Sequence, residues 1–194
     1  MYIWQVIKDR IILGIDPGTN VMGFGIIHVK GSNIVLLELG SLHMNKIEDH
    51  GTKLKMIFDK VLSLIDQYHP DELAAEAPFF GKNVQSMLKL GRAQGVALAA
   101  ALYRNIPIFE YAPRKIKQSI TGKGAASKEQ VAAMVQLLLK LKDEEMPKYS
   151  DATDGVAAAL CHYYQLKPGQ FTTANKGQSG WKSFVTNNPS RIKP

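Results

Sequence analysis

The alternation of apolar and polar positions divides the first half of the chain into distinct elements. Residues 10–16 form a branched apolar run with little interruption, stopped by the turn chemistry of Pro17, Gly18 and Thr19, which is the pattern of a buried strand. Residues 22–30 and 34–43 read as two further strands separated by Gly31, Ser32 and Asn33, so three consecutive strands form a meander of hairpins. The period then changes. Leu54, Ile57, Phe58, Val61, Leu62 and Ile65 recur at helical spacing and predict an amphipathic helix over 50–68, which Pro70 ends.

In the second half, residues 72–76 make a short strand halted by Pro78, and residues 83–104 make a long helix. Gly91, Ala93, Gly95, Ala97, Ala99 and Ala100 permit close backbone approach along that helix, against the sheet, at a dimer interface, or both. Residues 106–111 read as a fifth strand ahead of Pro113. Ser127 with Gln130 three residues on forms a capping box for a helix through about residue 141. After the polar stretch 142–147, a last helix covers 150–166. The order βββ-α-β-α-β-α-α predicts an α/β fold: a five-stranded mixed sheet, a meander followed by parallel strands, flanked by helices. From Lys167 onward Gly, Asn, Ser, Thr and Lys dominate without periodicity, and the expectation is a disordered basic tail.

The chain has 194 residues, 45% of them hydrophobic, enough for one domain with a substantial core. No apolar run approaches the roughly 20 residues that span a bilayer. The opening residues 1–7 are too short and interrupted for a signal-peptide core, so a cytoplasmic setting is expected. Cys161 stands alone, which excludes a disulfide framework and a cysteine zinc site and points to a core thiol. His43, His50, His69 and His162 lack ligand spacing, and no role is assigned to them.

The net charge of +7 is unevenly distributed. Residues 1–76 carry 7 basic and 10 acidic side chains, and residues 129–165 carry 3 basic and 6 acidic. Between them, residues 77–128 carry 9 basic side chains and a single acid, Glu110, while residues 166–194 carry 5 basic and none acidic. A basic block between two acid-bearing blocks is what a polyanion-binding enzyme with a carboxylate site would show, although charge alone also fits a solvated basic face.

Four acids are placed where chemistry would use them. Asp16 ends the first strand, Glu76 ends the fourth, and Asp151 and Asp154 are three residues apart and share one helix face. Singly, Asp16 could cap a turn and Asp151 could serve a helix dipole. Together they form a cluster that stays ionised only beside a cation. Oxygen-only ligands suit Mg²⁺ or Mn²⁺, and two such ions are the arrangement used for phosphodiester hydrolysis.

Ile12-Leu-Gly-Ile-Asp-Pro-Gly-Thr19 followed by Gly23-Phe-Gly25 resembles the opening of RuvC-type Holliday-junction resolvases. So do Glu76 with Phe79, Lys82-Asn83, the segment 88–95, the segment 109–112, Lys117-Gln118 and the segment 151–157. The resemblance covers roughly residues 11–164 in order. It implies a ribonuclease H-like domain over 11–166, with residues 1–10 as an N-terminal extension and 167–194 as the tail. It also implies a homodimer and paired symmetric nicks across a four-way DNA junction, with 5′-phosphate and 3′-hydroxyl ends. Asp16, Glu76, Asp151 and Asp154 match the family's metal ligands, for two Mg²⁺ ions that Mn²⁺ can replace. Lys117 and Lys128 match lysines near the scissile phosphate, and Phe79 matches an aromatic that stacks on a base at the junction centre. Lys82, Asn83, Lys89, Arg92, Arg114, Lys115 and Lys123 complete the expected DNA-binding set. A RuvA–RuvB branch-migration partner is implied by the resemblance alone. Phe79 and Phe80 could instead plug the core, but Pro78 and Gly81 around them favour an exposed loop.

Two other functions share parts of this pattern. A shorter RuvC-like nuclease acting on ribosomal RNA precursors has the same opening turn, but the Phe79 loop and the segment 82–95 favour the resolvases. An ATP-binding protein of the actin and sugar-kinase type has a similar first phosphate loop, but the chain is short for it and lacks the second loop.

Overall fold

The structure is a computed structural model that describes residues 9–78, 83–147 and 151–166. Contacts divide the chain into residues 1–163 and 164–194, and the fold below is that of the first unit. Phe79, Phe80, Lys82, the tail from Lys167 and all but the last two residues of the expected N-terminal extension lie outside the described residues.

The elements in order are β1 (Arg10–Asp16), β2 (Val21–Lys30), β3 (Asn33–His43), α1 (His50–Tyr68), β4 (Glu72–Glu76), α2 (Val84–Tyr103), β5 (Ile108–Tyr111), α3 (Pro113–Thr121), α4 (Lys128–Leu139), a 3₁₀ turn (Asp143–Glu145) and α5 (Asp151–Leu166). The sheet order is β3-β2-β1-β4-β5. β1, β2 and β3 pair antiparallel, and β1, β4 and β5 pair parallel, which brings the C-terminal ends of those three strands to one edge. Among the described residues, no helix is long and apolar enough to cross a membrane.

Strand alternation sorts the two faces. Leu13 and Ile15 of β1 and Leu73 and Ala75 of β4 join Ile57, Val61 and Leu64 of α1 and Ala93 and Ala97 of α2 in one buried core. The opposite face, which includes Gly14, Gly23 and Gly25, receives α5. That contact is backbone against backbone: a Cβ added at Gly23 would overlap the Asp151 carbonyl, and one added at Gly155 would meet the Phe24 main chain. Because no side chain intervenes, the first turn of α5 lies directly against β2, and its acids are delivered to the sheet.

Element types agree with the sequence pattern, with one correction. No element was expected between the fifth strand and Ser127, yet α3 occupies Pro113–Thr121. Pro113, read as a strand stop, stands in the first helical turn, where its missing N–H costs nothing. Ile116, Ser119 and Ile120 form the buried stripe, and Gly122 closes the helix at φ 76°. Nine residues give too few turns for a period to stand out. β5 also begins at Ile108 rather than residue 106, because the Ile106 amide turns back to the Ala101 carbonyl at 2.9 Å to close α2. The capping box at Ser127 and Gln130 is present as predicted.

Candidate active site

Because β1 and β4 run parallel with Ile15 opposite Ala75, their last residues, Asp16 and Glu76, leave the sheet at the same edge. The first turn of α5 adds Asp151 and Asp154 from the side. Lys128, the first residue of α4, closes the group: its Nζ donates to Asp154 Oδ2 at 2.7 Å and lies 3.7 Å from Asp151 Oδ1. The four predicted acids and Lys128 are therefore brought together.

Burial and mutual repulsion strain this cluster. Asp16 is pushed up to about 7, first by burial and then by the charges of Glu76 and Asp154, with Lys128 opposing. Glu76 is also pushed up to about 7, by burial and by Asp154, with Lys128 and Lys117 opposing. Burial raises Asp154 despite its bond to Lys128. For Lys128 burial acts in the opposite sense, but the bond to Asp154 and the surrounding acids outweigh it and hold the proton more tightly. Lys128 and the weaker influence of Lys117 do not offset the cluster, and Asp16, Glu76 and Asp154 all stay raised.

A cavity of about 530 Å³ opens on the site, and its lining includes the acids Asp16, Glu76 and Asp154 together with the bases Arg114, Lys117 and Lys128. A smaller one of about 250 Å³ shares Asp16, Glu76 and Lys128 and extends to Leu90 and Gln94. Carboxylates that could hold cations thus share one cavity with side chains that could hold a phosphate. The donor set is oxygen-only, like-charged and largely desolvated, which fits a hard divalent cation in kind. Among the described residues, no three of these side chains stand close enough to hold one ion together.

The remaining predicted residues are more scattered. Lys115 and Lys123 are exposed on and after α3, and Lys89 and Arg92 are exposed on α2; none of them lines either cavity. Asn83 caps α2, accepting from the Ser86 amide at 3.1 Å. Cys161 is a buried thiol that donates to Ser119 Oγ at 3.3 Å. Sequence reasoning missed Gln94, whose amide reaches the main chain of Glu76. A glutamine within a run of small helical residues carries no signal of such a contact.

A sheet of order 3-2-1-4-5 with acids ending its first and fourth strands, and two more acids on a helix laid against it, defines a ribonuclease H-like nuclease with a carboxylate centre. The chain matches the family model described as crossover junction endodeoxyribonuclease RuvC over residues 12–162. It is 57% identical to the protein of that name from Bacteroides fragilis over 190 residues, covering 97% of this chain and 99% of the relative. It is 56% identical to the one from Cytophaga hutchinsonii over 185 residues, covering 95% and 89%. The structure of Thermus thermophilus RuvC in complex with Holliday junction substrate superposes with a TM-score of 0.74 at 34% identity, covering 80% of this chain and 94% of that one. The chain belongs to the RuvC family of crossover junction endodeoxyribonucleases, which are metal-dependent nucleases.

Proposed function

We propose that the protein resolves four-way DNA junctions by paired symmetric nicks, with Asp16, Glu76, Asp151 and Asp154 holding two Mg²⁺ ions, or Mn²⁺ in their place. The observation that carries this reading is a cavity lined both by acids from β1, β4 and α5 and by Arg114, Lys117 and Lys128. Metal bound at the acids would polarise the phosphate and the attacking water, as in other phosphodiester hydrolases. Lys117 and Lys128 balance charge that grows on the phosphate oxygens, and Arg114 holds the strand by its backbone. Cleavage leaves 5′-phosphate and 3′-hydroxyl ends. Lys82, Asn83, Lys89, Arg92, Lys115 and Lys123 bind flanking phosphates, and Phe79 stacks on a base at the junction centre.

Symmetric nicks require two sites, so the working unit is a homodimer. α2 supports this reading. Its buried small residues, Ala93, Ala97, Ala100 and Ala101, face the core, whereas Val84, Leu88, Gly91, Gly95 and Leu102 form an exposed stripe on the opposite side. Gly91 and Gly95 at its centre have open space above them, room for a second copy's helix to approach closely. Residues 11–166 act as the nuclease domain, and residues 167–194 add non-specific, salt-dependent affinity for DNA. Coupling to a RuvA–RuvB motor and a cytoplasmic setting accord with that substrate.

The test is cleavage of a labelled synthetic four-way junction beside a matched linear duplex, with and without Mg²⁺. Symmetric, metal-dependent nicks in the junction alone are expected. Equal cutting of the duplex, or a preference for structured RNA, would sink the proposal.

A further inference from the structure

Gln94 lies buried in the middle of α2, and its amide nitrogen meets two acceptors. Nε2 donates to the main-chain carbonyl of Glu76 at 3.3 Å and to Oε1 of Glu110 at 2.5 Å. Glu76 and Glu110 stand on adjacent parallel strands, where Ala75 pairs with Glu110 and Glu76 with Tyr111. One side chain thus ties α2 to the C-terminal ends of both β4 and β5. The neighbouring main-chain tie is the Ala77 amide, which donates to the Tyr111 carbonyl at 2.9 Å. Beyond it the ladder stops, and strand ends loosen unless other groups hold them.

The chemistry of the pair sets its orientation. A carboxylate that has lost its proton only accepts, so Glu110 draws the NH₂ end of the amide toward itself, and the second hydrogen of that NH₂ is left for the Glu76 carbonyl. Glu110 is the single acid in a block with nine basic residues, where a negative charge works against attraction of DNA. Its contact with Gln94 supplies a reason for its presence. Glu76 is the last residue of β4, so the tie from Gln94 falls where the strand ends. Metal ligands need their supporting contacts: the first ring of donors is only as well placed as what holds it.

We propose that Gln94, oriented by Glu110, is a positioning residue that holds Glu76 in place for the divalent metal. The inference rests on the reading of Glu76 as a metal ligand. Gln94→Glu is the direct test, because it keeps the shape and sets an acceptor against two acceptors. Glu110→Gln, at an exposed position, removes the orienting charge and serves if the first variant does not fold. Mn²⁺ binding to the full chain without DNA is read by electron paramagnetic resonance of the free ion, beside junction affinity, melting temperature and the Mg²⁺ dependence of cleavage. Gln94→Glu should weaken Mn²⁺ binding about tenfold or more and raise the half-saturating Mg²⁺ by a similar factor. Glu110→Gln should shift both about threefold, the effect of a weakened hydrogen bond. Junction affinity should stay as in the wild type, and saturating metal should restore most of the cleavage rate. Wild-type metal dependence in both variants overturns the proposal, and so does a lower melting temperature and slower cleavage with metal affinity unchanged. Glu76→Gln is the control. If it binds Mn²⁺ like the wild type, the ligand assignment itself has failed; if it loses Mn²⁺ while Gln94→Glu does not, only the positioning role is wrong.

Discussion

β4 carries a glutamate at each end, Glu72 and Glu76, four residues apart and therefore on one face of the strand. The fold treats them in opposite ways. Glu72, with a side chain 12% exposed, is neutralised from within: Arg10 pairs with it, and His162 Nε2 meets its Oε2 at 2.9 Å. His162 is in turn held by the Tyr111 hydroxyl at 2.6 Å and stacked on Phe109. At the other end Glu76 is pushed up to about 7, first by burial and then by the charge of Asp154, with Lys128 as the main compensation. One end of the strand is satisfied by its own chain. The other keeps an excess of negative charge that a bound cation would relieve, the stability cost typical of a functional site.

The sharpest way to break this comparison is to remove charge at each end. Asp16→Asn should cut junction cleavage roughly a thousandfold or more, the loss of about 4 kcal/mol of transition-state stabilisation, because one of the proposed metal ligands is gone. Junction affinity should remain within a few fold, since cationic side chains supply the binding. A gel-shift and a single-turnover cleavage assay separate the two, and a parallel loss of affinity would show that the acids bind DNA rather than only cut it.

Glu72→Gln should do the reverse. It leaves Arg10 without its carboxylate and His162 without its charged partner, for a cost of about 1–3 kcal/mol in denaturant unfolding, while the folded fraction still cuts at the wild-type rate. If Glu72→Gln proves silent in stability and Asp16→Asn destabilises the metal-free protein, the contrast between the two ends is wrong.

The smallest effect is the pH dependence of stability without metal. Asp16 and Glu76 rise in the folded state from 3.8 and 4.5 to about 7, so the folded chain holds more protons than the unfolded one in that window. Their contribution to stability therefore falls as pH rises from about 4 to 7. His162 works in the other direction. Burial lowers it below 6.5 against the pull of Glu72, so its contribution falls as pH drops beneath that value. In chelator, Asp16→Asn should raise the melting temperature at pH 7.5 by about 2–4 °C for each kcal/mol of repulsion relieved, and Mg²⁺ should narrow the gap between variant and wild type. A variant that melts below the wild type under those conditions would place the repulsion elsewhere.

Much of this molecule is legible in its sequence. Strand and helix periods are local properties, so β1 to β4, α1, α2 and α5 are readable from spacing and punctuation, and Ser127 with Gln130 announces α4. The acids Asp16 and Glu76 stand out because an ionisable group directly after a buried apolar strand is costly without a partner. α3 was not legible, since Pro113 stops a strand and starts a helix with equal ease and nine residues offer little period. Nor were the two faces of α2, because small residues lie on both and only the arrival of the core selects Ala93 and Ala97 for burial. The bonds from Gln94 to Glu76 and Glu110, and from His162 to Glu72, join positions 16 to 90 residues apart. Periodicity within a segment reports what that segment buries, whereas a pairing between segments exists only once sheet order and the close seat of α5 on Gly23 have been set. Residue types and their periods were thus decided by sequence, and which acids meet, which is neutralised by the chain and which is left with an excess of negative charge was decided by tertiary structure.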